Sequence, residues 1–329
     1  MSFDYELFFG SNSGTVLKTL IEPTNTLLSV LERHGFRGNF FIDYLMFREL
    51  EKQSGEKAQS DLKMLKDQIC DMVRRGHRIE LHLHPHWIDA KYNGDGTWNF
   101  DDFTHYSLSS LDEETIIEMF KSGVSYLTSL VKDECPNYKI VAFRAGGWAV
   151  QPFNKIKKAF EVSGIKIDSS TSFGMFRKMK DSCFDFRRMP YKALYHFEDD
   201  VCIEKANGSF LEIPITSFHR NVILVLVDRI CGAFLHLFDK VTDGTHDRKD
   251  KSIDNNRNTN FLRKLNKSYR LMFSLSMFSS LTVKWALFSH KKQSVYCYID
   301  HPKDLSRATI MGLKELGNYC ESVNYVDFL

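Results

Sequence analysis

Short runs dominated by apolar residues recur along the chain at Phe3–Phe9, Gly38–Asp43, Arg78–His82, Lys139–Phe143, Gly164–Ile167, Ser209–Ile215 and Ser294–Ile299. Their length and their polar or turn-forming borders predict buried strands. Between several of them apolar positions repeat with helical spacing, over Pro23–His34, Leu62–Arg75, Glu113–Val131, Phe153–Ser163 and Ala308–Cys320. Strands alternating with helices imply βαβ units and a largely parallel sheet. At this length the pattern predicts an α/β fold, a barrel of the (β/α) kind with about seven strands, formed by residues 1–329 as one domain. In such a barrel, chemistry sits at the C-terminal ends of the strands.

Two apolar stretches are longer. Val222–Phe238 is interrupted by Asp228, Arg229 and His236, and Leu271–Phe288 by Lys284 and four serines. Neither reaches the roughly 20 clean apolar residues of a membrane span, so both are expected as helices packed on the core, the alternative being a face laid on a membrane surface. Thr242–Thr259 is polar but for Ile253, and from Asp247 to Arg270 eight Lys/Arg stand against three Asp. Residues 242–270 are therefore expected to form a polar, basic insertion before the last strand, either solvated or facing phosphate or anionic lipid. The second case gives a peripheral membrane contact.

Composition narrows the functional classes. The 329 residues hold 44 Lys+Arg and 42 Asp+Glu, 43% hydrophobic residues and only 7 Pro, which excludes disordered, collagenous and coiled-coil chains. A net charge of +2 provides no chain-wide field for phosphate backbones, so nucleic acid is not an expected partner. Seven scattered cysteines, odd in number and without a Cys-x-x-Cys pair, argue against a disulfide scaffold or a thiolate zinc knot. Met1 is followed at once by a strand-like run rather than a basic and then apolar leader, which together with reduced cysteines predicts the cytoplasm.

Candidate chemistry falls at strand ends. In Ile79-Glu80-Leu81-His82-Leu83-His84-Pro85-His86-Trp87, three histidines lie within five positions. Buried imidazoles need partners, and a metal supplies one. His82 and His86 are expected to converge if the chain curls after the strand, whereas His84 is expected to point away, as a supporting residue or a replacement ligand. Asp4 and Glu6 share one face of the first strand, so one can bind metal while the other takes a proton from water. Val141-Ala142-Phe143-Arg144-Ala145-Gly146-Gly147-Trp148 ends a strand with Arg144, suited to holding a carboxylate base, and with backbone N–H groups near Gly147 and Trp148 suited to an oxyanion. His301 closes a later strand as a candidate general acid. Trp87, in the aromatic loop Trp87–Phe103, is a candidate sugar-stacking face.

The order and spacing of these motifs resemble those of the polysaccharide deacetylases with the NodB-homology domain. The resemblance implies a distorted (β/α) barrel and a metal-dependent N- or O-deacetylase. Asp4 and Glu6 resemble the base and metal carboxylate of the family's first motif, His82 and His86 its His-x-x-x-His motif, and Arg144 its base-holding arginine. Asp168, in Ile167-Asp168-Ser169-Ser170, is similar to the later Asp that tunes the catalytic His, which corresponds to His301. Gly38-Asn39-Phe40-Phe41-Ile42 and Phe210-Leu211-Glu212-Ile213-Pro214 match supporting strands. The chain departs from the family's adjacent Asp pair, with Asp4-Tyr5-Glu6, and from its Arg-x-Pro-Tyr.

The resemblance implies removal of an acetyl group from an amino sugar. A divalent metal, zinc by its donor set, sits on Glu6, His82 and His86; Asp4, Arg144, His301 and Asp168 are catalytic; Trp87, Gly147, Trp148 and His84 face the substrate. The expected substrate is an N-acetylated nucleotide sugar or a lipid-linked oligosaccharide on the way to a surface polysaccharide. The alternatives are a non-catalytic sugar-binding relative, and an amidohydrolase or phosphoesterase barrel using the His82-Leu83-His84 pair.

Overall fold

The computed structural model describes residues 1–180, 182–247 and 269–329. Its principal sheet carries seven parallel strands: β1 (Ser2–Tyr5), β2 (Asn39–Asp43), β3 (Arg78–Leu83), β4 (Ala142–Ala145), β5 (Ile167–Asp168), β6 (Phe210–Glu212) and β7 (Ile299–Asp300). Their order in space is β6-β5-β4-β3-β2-β1-β7, with Tyr195–Phe197 added antiparallel beside β6. The gap between β6 and β7 is bridged by the chain that follows β6. Thr216 N donates to Cys297 O (2.7 Å), Phe273 N to Thr216 O (2.8 Å) and Ile299 N to Phe273 O (3.0 Å). The result is the distorted (β/α) barrel expected from the strand pattern.

The two-residue period of the strands sorts every side chain to the lumen or the helix layer. Phe3, Tyr5, Phe40, Leu81 and Phe143 point outward; Phe143 meets Phe120 and Phe160, and Tyr5 donates through its hydroxyl to Gln68. Phe41, Ile167, Leu211, Ile213 and Ile299 form a second, inner cluster. On the outside lie α1 (Glu22–Arg33), α2 (Tyr44–Glu51), α3 (Glu56–Arg74), α4 (Glu113–Leu130), α5 (Lys157–Ser163), α6 (Val222–Leu235), α7 (Ser280–Ser289) and α8 (Arg307–Gly317). α4 begins where Asp112 accepts from Thr115 N, and Gly123 lets it press on β3: a Cβ there would sit 2.7 Å from Leu81.

Several expectations need correction. α2 was not legible, because its apolar face runs on directly from β2. Leu271–Phe288 is not one helix. Tyr269–Met272 is a strand paired antiparallel with Ser217–Arg220, and the helix starts at Ser280. Tyr269 and Arg270 therefore belong to a strand, while residues 248–268 of the expected 242–270 insertion lie outside the described residues.

Candidate active site

The lumenal parity of the strands delivers one set of polar side chains to one mouth of the barrel. In register, Asp4 pairs with Phe41, Asp43 with His82, and His82 with Arg144. Asp4, Asp43, His82 and Arg144 therefore face inward at neighbouring strand ends, followed by Glu6, His84 and His301 just beyond them.

Arg144 is fully buried and every arm of its guanidinium is engaged. It donates to Asp4 Oδ1 (2.6 Å), Ser169 O (2.8 Å) and Ser2 Oγ (2.8 Å), with its Cζ 4.2 Å from the centre of the Phe41 ring. Burial alone would favour losing its charge, but Asp4, Tyr325 and Cys297 together outweigh this and the guanidinium stays cationic. Asp4 is thereby held in place with its second oxygen turned toward His301, whose Nε2 lies 3.7 Å from Asp4 Oδ2.

Glu6 gathers the cations. Its Oε1 accepts from Lys303 Nζ (2.7 Å), and its Oε2 lies 2.9 Å from His82 Nε2 and 3.0 Å from His84 Nδ1. Burial would raise this carboxyl, but Lys303 and the two imidazoles hold it well below the usual range. Burial opposes charge on His82, yet Asp4 and Glu6 outweigh burial and push it up to about 9. His82 Nδ1 donates to Arg144 O at 2.7 Å, which orients the ring and turns Nε2 toward Glu6. His84 Nδ1 is buried and makes no hydrogen bond of acceptable geometry despite its nearness to Glu6.

Glu6, His82 and His84 offer ligand atoms that all lie within 4.8 Å of one another. Two imidazoles and a carboxylate are donors zinc accepts. An imidazole that gives its other N–H to a carbonyl, as His82 does, is the usual supporting arrangement for a ligand. An orphaned buried nitrogen on His84 is what such a group would satisfy. The side chains present therefore fit a divalent metal.

His86, expected as the third ligand, is not in this group. The extended backbone continues through His84 (φ −113°, ψ 94°), so residues 82 and 84 share a face. Pro85 then opens a short 3-10 turn that carries His86 away. The His86 ring stacks on Tyr106 (5.4 Å, 11°) and meets Phe9 edge-on (4.4 Å). The expectation that His84 points away thus fails for the same reason.

Two further placements differ. Asp168 pairs in register with Phe143 and Glu212, and so points outward into the helix layer, where it accepts from Ser170 N (3.0 Å) and Oγ (2.7 Å). It cannot tune His301. That position is taken by Asp304, whose Oδ2 lies 3.5 Å from His301 Nδ1 and whose Oδ1 accepts from Lys240 and from His246 Nε2 (2.8 Å). Trp87 is no exposed stacking face: it is fully buried, packs against Trp98, and donates to Asp43 Oδ2 at 2.6 Å.

Gly147 (φ 57°) and Trp148 (φ 61°) both take the left-handed region, and Gly146 lies close under His84, where a Cβ would be 2.5 Å from its ring. Trp148 and His301 share the lining of a cavity of about 550 Å³ with Met175, Phe238, Met277 and Ser274. Burial and the Lys303 ammonium hold His301 below the usual imidazole range, against the pull of Glu6, Asp4 and Asp304. Asp43, Lys303 and Asp304 went unread in the sequence. Asp43 had a usable signal, lumenal parity at the end of β2, while a lysine beside a proline had none.

No protein-family model matches the chain, and comparison with curated proteins gave no match. Among solved structures, one assigned as a polysaccharide deacetylase from Mycobacterium smegmatis aligns with a TM-score of 0.46 and 15% identity, over 91% of this chain and 72% of that one. A peptidoglycan N-acetylglucosamine deacetylase aligns with a TM-score of 0.29 and 16% identity, over 52% of this chain and 56% of that one.

Proposed function

We infer that the protein is a metal-dependent deacetylase acting on an N-acetylated amino sugar. The observation that carries this reading is the meeting, at one barrel mouth, of a Glu6–His82–His84 donor set with an arginine-held Asp4 and with His301, 3.6 Å from Glu6 and 3.7 Å from Asp4. The motif order resembling polysaccharide deacetylases supports it.

Glu6, His82 and His84 would hold the metal. When bound, the ion, zinc by this donor set, polarises the acetamido carbonyl and acidifies a water. Asp4 takes a proton from the attacking water; Arg144 holds and aims Asp4. Backbone N–H groups at Gly147 or Trp148 would be the donors to the developing oxyanion. His301, 3.7 Å from Asp4 Oδ2 and flanked by Asp304, relays the proton that Asp4 took from the water to the departing amine nitrogen as the C–N bond breaks. Lys303 occupies Glu6 Oε1, leaving Oε2 as the oxygen that faces the two imidazoles.

The substrate we infer is a nucleotide-linked or lipid-linked amino sugar used in building a surface polysaccharide, processed in the cytoplasm. All seven cysteines are free, which suits a reducing compartment. The test is metal analysis of the purified protein, then acetate release from N-acetylated nucleotide sugars and lipid-linked sugars. Metal-stimulated acetate release supports the reading; a metal-free protein that releases none removes it. One observation favours a second reading. Because His82 and His84 are the paired imidazoles, a His-x-His phosphoesterase is the competing assignment, and phosphate release without acetate from the same panel would select it.

A further inference from the structure

α6 and α7 carry a surface that the barrel does not use. On α6, Ile223, Leu226, Ile230 and Phe234 recur at spacings of three and four, with Ile223 71% and Phe234 79% exposed. On α7, Leu281, Trp285 and Phe288 form a second exposed stripe, Phe288 at 60%. The helices are joined from below: Asp228 of α6 accepts from Ser279 N (2.9 Å) and Thr282 Oγ1 (2.8 Å) at the start of α7, and is itself paired with Arg220 (3.1 Å). Asp228 is the sole acid on either helix, and it is buried. Exposed charge on the two helices and just after α7 is all positive among the described residues, with Arg229 and Lys284 both partnered, Lys284 by Glu315 at 3.3 Å, and with Lys291 and Lys292 beyond; just after α6 the exposed Asp239 is paired with His236 at 2.9 Å. Soluble monomers rarely leave so large an apolar stripe in water.

We propose that this α6–α7 face rests on an anionic bilayer surface, from which the neighbouring cavity at His301 draws a lipid-carried substrate. Charge complementarity selects the occupant, since an apolar face whose two helices carry exposed cations and, among the described residues, no exposed carboxylate of their own matches acidic headgroups over acyl chains. Lys291, 5.0 Å from the centre of the Phe288 ring, is set to keep its ammonium at the headgroups while Phe288 goes deeper. Among the described residues no helix is long and apolar enough to cross a membrane, so the contact is one of lying on the surface. The cavity opens beside this face. Phe238 lies three residues beyond α6 and Met277 three before α7, and both line the cavity together with His301. A sugar on an apolar carrier can then present its head to His301 while the carrier stays in the bilayer. The substrate half of this inference rests on the deacetylase reading; the membrane half does not.

The experiment is sedimentation of the full chain with vesicles of phosphatidylcholine alone or mixed with phosphatidylglycerol. Binding is expected to the mixed vesicles, and raised salt should weaken it, because such attraction is screened beyond about 10 Å at 0.1 M. Ile223→Asp with Phe234→Asp should lower the partition at least about ten-fold while leaving the urea midpoint unchanged. Lys291→Glu with Lys292→Glu should remove the preference for phosphatidylglycerol. Failure of the wild-type chain to bind, or equal binding by the Asp variant, overturns the proposal. So does a dimer in sedimentation velocity that the Asp variant splits without any vesicle binding, which would assign the face to a second copy. If vesicles bind and no acetate appears, the deacetylase reading fails while the membrane face stands.

Discussion

An imidazole at position 84 reaches Glu6 because extended chain repeats every two residues, and Pro85 ends that repeat before His86 can join it. His84→Ala should therefore lower zinc affinity by more than about 100-fold, since even supporting residues of a metal site are worth 10–100-fold. His86→Ala should leave metal content intact and cost about 2–3 kcal/mol of stability through the hole left against Phe9 and Tyr106. Metal analysis after dialysis, with urea unfolding of both variants, separates the two; the reverse outcome returns His86 to the ligand set. Asp4 and Glu6 divide differently. Asp4→Asn should cut turnover by about 10²–10⁴ with metal retained, while Glu6→Gln should lose metal. Equal metal loss in both would mean that the two carboxylates share one role. At this scale the sequence was readable where residue type and parity coincide, as at Asp4, Glu6, His82 and Arg144. It was unreadable where a turn decides direction, as at His86, or where a buried charge such as Lys303 has a partner 297 positions away.

Elements explain the misplaced Asp168. Reading Asp168 as a site residue used its position at a strand end but not its parity; β4 and β5 in register put it on the helix side with Phe143. There it abuts Glu212 of β6, and two carboxyls out of water cannot both ionise cheaply. Burial and then Asp168 push Glu212 well above the carboxylate range, so it stays protonated and donates to its neighbour; burial raises Asp168 as well. A folded-state pKa above the unfolded value, near 4.3 for Glu, means that the contribution to stability is complete below that value. It declines as pH rises toward the folded pKa, because unfolding then releases a proton that the native state keeps. Glu212→Gln retains an N–H donor without an ionisable proton. Its stability relative to wild type should therefore grow with pH above about 4.3, by up to about 1.4 kcal/mol per pH unit. Urea midpoints across that range measure this, and a constant difference between the two proteins would show that the pair does not share a proton. Asp228 is the comparable device between α6 and α7. Asp228→Ala removes the acceptor for Ser279 N and should cost about 2 kcal/mol.

For the whole molecule, the barrel was legible because seven apolar runs alternate with helical ones, and its closure was not. Closure depends on Thr216, Phe273 and Cys297, residues of ordinary type brought together across long sequence separations. That closure matters for the site. Glu6 follows β1, His82 and His84 lie at the end of β3, and Lys303 follows β7, so one ion held by Glu6, His82 and His84 would tie the first and third strands of the chain together, with Lys303 bringing in the last. A ligand that binds only the folded state stabilises it by about 2.7 kcal/mol at a concentration 100 times its Kd. For a chain of this size that is on the order of 5 °C in the unfolding midpoint. Zinc added to chelator-treated protein should produce such a rise in wild type and in Asp4→Asn, and none in His84→Ala, whatever substrate the protein acts on. A rise that persists in His84→Ala would place the ion elsewhere in the molecule. The absence of any rise in wild type would mean that Lys303, already seated on Glu6, serves as the permanent cation of this centre.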